Sequence, residues 1–202
     1  MKMRVRTTYR SPNHSSRNGM TIDTIVLHHT GPGSYEGIRS WLCNPAAQVS
    51  AHDLIPKPPK SGTYFCDRLV PLDRAAWHAG RGRIDANKDG VISSAERLVN
   101  SRSIGIEMVN RGDGKDPWPD QQLRLCARQI RRYRRRFPIP IRNVVDHEMV
   151  SLSGKVDLKS DFPAAKLMYY VQHGPAARAT GNLWAKLRPS FSRAAKRIKY
   201  GA

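Results

Sequence analysis

The run TIDTIVLHHT, residues 21–30, decides the fold. Thr24, Ile25, Val26 and Leu27 form a continuous β-branched and apolar stretch, the pattern of a strand buried on both faces rather than half-exposed. Such a strand belongs in a sheet covered by helices. The run closes on two adjacent histidines. Successive side chains of an extended chain point to opposite faces, so His28 and His29 address different surroundings. One of them faces a site whose other parts lie elsewhere in the chain.

Outward from this strand the pattern alternates. SYEGIRSWLCN (34–44) has helical spacing at Tyr35, Ile38, Trp41 and Leu42. VSAHDLI (49–55) and DRLVPL (67–72) read as short strands around the turn-rich PKPPKSG, and SIGIEMV (103–109) as another. DQQLRLCARQIRRYRRRF (120–137) is a helix with Leu123, Ala127, Ile130 and Phe137 near one face. PIRNVVDH (140–147) is a further strand, again ending in histidine. The order predicts an α/β domain with a central mixed β-sheet flanked by helices. The expected division is a basic, irregular arm over 1–20, one domain over 21–175, and a basic helical C-terminal tail over 176–202.

The formal net charge of +19 over 202 residues is uneven. Residues 1–20 hold five Lys/Arg and no acid, and from Phe162 onward there are eight and no acid. Such a field attracts polyanions: nucleic acid, anionic lipid or a phosphate-rich bacterial envelope. The Arg-rich helix lacks interleaved aromatics and any recognised nucleic-acid motif, so nucleic acid ranks last. In the tail, Leu183, Trp184, Leu187, Phe191 and Ile198 recur at helical spacing among Lys and Arg. That pattern suits an anionic lipid or lipopolysaccharide surface, or packing back on the domain. Cys43, Cys66 and Cys126 are odd in number and far apart, and read as reduced thiols. No apolar run approaches the ~20 residues of a membrane helix. The basic opening MKMRVRTTYRSPNHSS has no apolar segment behind it and does not read as a secretory signal. Residence in the cytoplasm that makes the chain is the expectation, and a monomer is expected.

Two strands ending in histidine would place imidazoles at the crevice beyond the strand ends, where α/β sheets bind ligands. Asp157 follows His147 by ten residues, with Lys155 two positions earlier. Two imidazoles and one carboxylate are a zinc ligand set that leaves a position open for water, whose pKa zinc lowers to about 7. Glu107 is the candidate base, a carboxylate in an apolar strand sharing its face with the small residues Ser103 and Gly105. Lys155 is the candidate stabiliser of a developing oxyanion. Singly, each has a bland reading: a packed histidine, a turn aspartate, a surface lysine. The joint pattern raises them.

The segments IVLHHT, NPAAQVSAHDLI, LVPLDRAAWHAG, NSRSIGIEMVN and DHEMVSLSGKVD, across roughly 22–163, resemble the zinc-dependent N-acetylmuramoyl-L-alanine amidases. That superfamily includes phage lysozymes of the amidase type, cytosolic muropeptide-recycling amidases and animal peptidoglycan recognition proteins. The resemblance implies zinc on His28, His147 and Asp157, choosing His28 over His29. It implies catalytic roles for Glu107 and Lys155, and substrate contacts from His52, Trp77 and His78, with a structural imidazole as the alternative for the two histidines. The sequence departs from the family at Asp146, where a glycine is usual, and in LSGKVDLKS, which lacks the usual prolines and arginine. What is implied is cleavage of the bond between N-acetylmuramic acid and L-alanine, most in keeping with a phage or prophage endolysin released from the host cytoplasm by a holin. The rivals are a cytosolic anhydro-muropeptide recycling amidase and a non-enzymatic peptidoglycan-binding module.

One insertion has a different chemistry. DANKDGVISSAE (85–96) matches D-x-[DN]-x-[DN]-G-x5-E. Asp85, Asn87, Asp89, the Val91 carbonyl, Ser93 and Glu96 stand at the ligand positions of a calcium loop. A structural calcium ion, bound without an entering helix, is the expectation; an acidic surface loop is the alternative.

Overall fold

The computed structural model describes residues 3–59, 63–155, 157–158 and 161–177. The expected tail therefore lies outside the described residues beyond Ala177. Six strands form the main sheet: β1 (Met3–Arg6), β3 (Thr24–His29), β4 (Asp53–Ile55), β5 (Tyr64–Arg68), β7 (Ser103–Met108) and β8 (Val144–Asp146), in the order β1-β5-β4-β7-β3-β8. All neighbours are parallel except β4 and β5, so the sheet is mixed as expected. Strands β2 (His14–Ser16) and β6 (Arg74–Ala76) form a separate antiparallel pair.

The continuous run of β3 makes it central, between β7 and β8. Its alternate residues divide the domain. Ile25 and Leu27 join Ile104, Ile106 and Met108 in the larger core, under α3 (Asp120–Arg136) and α4 (Ala164–His173). Val26 enters a smaller cluster on the other face with Ala79, Val99, Val145 and Val150. Helix α3 buries more than the expected stripe, adding Gln122, Leu125, Cys126, Gln129 and Tyr133 to Leu123, Ala127 and Ile130. It is wedged between sheet and α4, so two of its faces are covered. The three cysteines form no disulfide, and no helix among the described residues is long and apolar enough to cross a membrane.

Four expectations change, the first at PIRNVVDH, where Ile141–Asn143 is a 3-10 turn and the strand shortens to Val144–Asp146. The strand placed at 67–72 instead spans Tyr64–Arg68, because β1 supplies a parallel partner for residues 64–67 on its outer side. The strand placed at 49–55 shortens to Asp53–Ile55, although the His52 N–H still donates to the Gly105 carbonyl. The basic arm is not irregular: it contributes β1 and β2. Its charges are partly structural, since Arg6 pairs with buried Asp67 at 2.6 Å. Arg17, only 6% exposed, donates to the carbonyls of Leu72, Ser101 and Ser103 at 2.6–3.0 Å.

Gly105 in β7 is required by close approach: a Cβ there would meet the His78 ring at 2.4–2.8 Å. Gly105→Ala is expected to cost about 1–3 kcal/mol of stability through overpacking, read as a lowered midpoint in urea unfolding.

Candidate metal centre

The parallel register places His28 beside Glu107, on the sheet face opposite α3. His147 follows β8, and its N–H continues the ladder to the Leu27 carbonyl at 3.2 Å. Asp157 arrives on a loop whose next residue, Leu158, has φ 55 and buries its side chain in the larger core. That anchoring turns the carboxylate back toward the histidines. Asp157 Oδ2 lies 2.9 Å from His28 Nδ1 and 2.7 Å from His147 Nδ1. The three ligand atoms lie within 4.8 Å of one another, and theirs is the one such group among the described residues.

The chemistry of this group fits a metal ion. His147 Nε2 faces the Ala79 carbonyl at 3.2 Å. A carbonyl only accepts, so the ring donates there, and in the neutral ring Nδ1 is then left as a lone pair toward the carboxylate. Burial pushes His28 down to about 4, overriding the opposing pull of Asp157, and it is neutral at pH 7. Converging lone pairs repel unless a cation lies between them, and two imidazoles with one carboxylate suit zinc with an open position.

Glu107 completes the centre. Its Oε2 is buried with no hydrogen-bond partner among the described residues. Burial, then the charge of Asp157, raises it to about 8. A cation held by the ligands would oppose the second cause and return the carboxylate toward its base-competent form. These groups line one cleft of about 700 Å³. Lys155 is exposed and lines it with Ser153. Trp77 lines it too, its indole N–H donating to Ser15 Oγ at 3.2 Å. The far wall is apolar, with Ile38, Val49 and Trp41, which is 56% exposed.

Residues 18–161 match the family model described as N-acetylmuramoyl-L-alanine amidase. The chain belongs to this family. The N-acetylmuramoyl-L-alanine amidase A of Achromobacter lyticus is 44% identical over 118 residues, covering 58% of this chain and 54% of that protein. The N-acetylmuramoyl-L-alanine amidase AmiD of Escherichia coli (strain K12) is 32% identical over 155 residues, covering 72% and 52%. The chain thus spans about half the length of the curated relatives it matches. A structure of AmiD from E. coli in complex with the substrate anhydro-N-acetylmuramic acid-L-Ala-D-gamma-Glu-L-Lys superposes with a TM-score of 0.62 at 26% identity, covering 88% of this chain and 63% of that one.

Within this amidase fold some expected positions take other roles. His52 does not reach the cleft. It is 0% exposed, accepts from the Gly105 N–H at 3.0 Å and faces the Arg74 carbonyl at 3.0 Å. It is a structural imidazole tying β4 to β7. His78 touches the cleft but is 8% exposed, and both its nitrogens are engaged, with His28 and with Ser103. His29 faces the opposite side, against Gly112. Asp146, where the family usually has glycine, accepts the Met149 N–H at 2.9 Å and so shapes the turn that carries His147.

The 85–96 insertion is held by its own backbone. Asp85 accepts the N–H groups of Lys88, Asp89 and Gly90 at 2.7–3.2 Å. Buried Glu96 accepts from Ala86 and Ser93 at 2.8–3.0 Å. The carboxylates of Asp85, Asp89 and Glu96 do not converge as the zinc-type group does. A short 3-10 turn, Ala95–Arg97, and helix α2 (Val99–Arg102) follow.

Burial raises Glu96, but the hydrogen bonds from Ser93 and Ala86 prevail and hold it at about 2. A depressed carboxylate stabilises above its unfolded pKa, near 4.3, and that contribution disappears as pH falls toward 2. Glu96→Gln is therefore expected to cost about 1–2 kcal/mol at pH 7. The gap to wild type should narrow steadily in melting curves taken from pH 5 to pH 2.

Proposed function

We propose that this chain hydrolyses the amide bond between N-acetylmuramic acid and the L-alanine of the peptidoglycan stem peptide. The observation that carries the reading is the convergence of His28, His147 and Asp157 beside Glu107, whose Oε2 is buried without a hydrogen-bond partner among the described residues, in one cleft. Zinc on those three ligands would supply a Lewis acid and a water of lowered pKa. Glu107 takes a proton from the attacking water, whose oxygen bonds to the lactyl carbonyl carbon. Lys155, at the rim, faces the negative charge that develops on the carbonyl oxygen. Glu107 then returns the proton to the departing nitrogen as the C–N bond breaks. The products are a lactyl carboxylate and a peptide with a free L-alanine amine. Mass spectrometry of digested muropeptides should find that pair. Cleavage elsewhere in the peptide, or none, would contradict the reading.

The setting we favour is a phage or prophage endolysin, held in the host cytoplasm until a holin releases it; the +19 charge supports it. The substrate named for the AmiD complex favours a second reading, action on soluble anhydro-muropeptides. Relative rates on intact sacculi and on soluble anhydro-muropeptides separate the two. Calcium in the 85–96 loop remains a proposal from ligand spacing. It requires a melting temperature that rises with calcium in wild type and not in Asp85→Ala. Engagement of anionic lipid or lipopolysaccharide by the basic tail, in a monomeric protein, is likewise proposed from sequence pattern alone.

A further inference from the structure

We infer that the segment Trp77–Gly80 frames the metal centre: His78 and the Ala79 carbonyl dictate which nitrogen of each ligand histidine carries its proton, which makes His78 a positioning residue rather than a substrate contact. The inference rests on the zinc reading above and deepens it.

The assignment follows from donor and acceptor identities. Ser103 Oγ contacts the Val99 carbonyl, which can only accept, so the hydroxyl proton points there. Ser103 Oγ must then accept from His78 Nε2, 2.9 Å away. A neutral His78 with its proton on Nε2 has a bare Nδ1. That Nδ1 lies 3.1 Å from His28 Nε2, so His28 donates to it. The His28 proton is thereby fixed on Nε2, and its Nδ1 lone pair faces Asp157 and the metal position. One residue on, the Ala79 carbonyl does the same for His147. Two consecutive residues thus set the tautomers of ligands drawn from two different strands.

The frame is itself held. Asn100 Oδ1 accepts the N–H groups of His78 and Ala79 at 3.3 and 2.9 Å, and Ser50 Oγ accepts that of Trp77 at 2.9 Å. Gly105 provides the space under the His78 ring. Nothing in this arrangement leaves a His78 nitrogen for substrate. Outer partners of metal-bound histidines fix ring orientation and basicity, and their loss lowers metal affinity by about 10–100-fold.

The test is zinc affinity by competition with a chromophoric chelator, paired with long-range 1H–15N correlation of the zinc-loaded wild type. His78→Phe keeps the ring volume but removes the acceptor, and should weaken zinc by about 10–100-fold. His78→Asn places an amide oxygen near the Nδ1 position and should recover most of that loss. Ser103→Ala should fall between wild type and His78→Phe. The spectrum should show His78 protonated at Nε2 with an unprotonated Nδ1. Unchanged affinity in a folded His78→Phe protein, or a proton on His78 Nδ1, overturns the inference. Should His78→Phe fail to fold, the wild-type spectrum alone decides. A wild type that takes up no zinc would sink the functional reading instead, while the His78 tautomer read on the same sample still decides this one.

Discussion

His147→Ala protein is expected to take up no stoichiometric zinc and to leave peptidoglycan suspensions turbid. Removing one of three ligands leaves one imidazole and one carboxylate, too few for a site that must also keep a position open. The effect on the fold should be modest by comparison. The His147 side chain makes one bond to the Ala79 carbonyl and otherwise faces Asp157 and His28. Deleting it also relieves a crowd of like lone pairs. Retained secondary structure with lost zinc uptake and lost clearing is the expected combination; undiminished clearing would count heavily against the mechanism.

Glu107→Gln should do the opposite to the metal and nearly as much to the rate. Gln is close in volume and keeps an oxygen, but it cannot accept the water's proton. Zinc stoichiometry should match wild type while kcat falls by about 10²–10⁴-fold, the usual range for a lost general base. The pH profile adds a sign. A base must be deprotonated to act, so wild-type kcat/KM should rise with pH on its acid side. In Glu107→Gln that limb should flatten. A variant that loses zinc along with activity would make Glu107 a ligand or a structural carboxyl rather than a base.

What could be read in the sequence were the features written in local chemistry. The unbroken run before His28 marked the central strand. The residue types at His28, His147 and Asp157 pointed to a group that could hold a metal ion, and the three converge. What stayed hidden depends on distant partners. Met3–Arg6 has no apolar alternation, and its strand exists because β5 offers a parallel edge and Asp67 an ion pair for Arg6. Arg17 counted as part of a polyanion-attracting field, yet its guanidinium is consumed by buried carbonyls. His52 sat in a motif that resembled a groove-lining one, but β7 passes over it and takes its Nδ1. His78 had no local sign of its role, which requires Ser103 and His28 to bracket it from two other strands. The same is true of Leu158, whose buried side chain aims Asp157 from a backbone conformation that bulky residues seldom adopt.

Zinc K-edge X-ray absorption on protein loaded with one equivalent tests the metal centre most directly. The expected spectrum has nitrogen and oxygen donors at about 2.0–2.1 Å, with the outer scattering of two imidazoles in wild type and a diminished share in His28→Ala. Sub-stoichiometric uptake, sulfur donors, or a spectrum indifferent to His28 and His147 would contradict it.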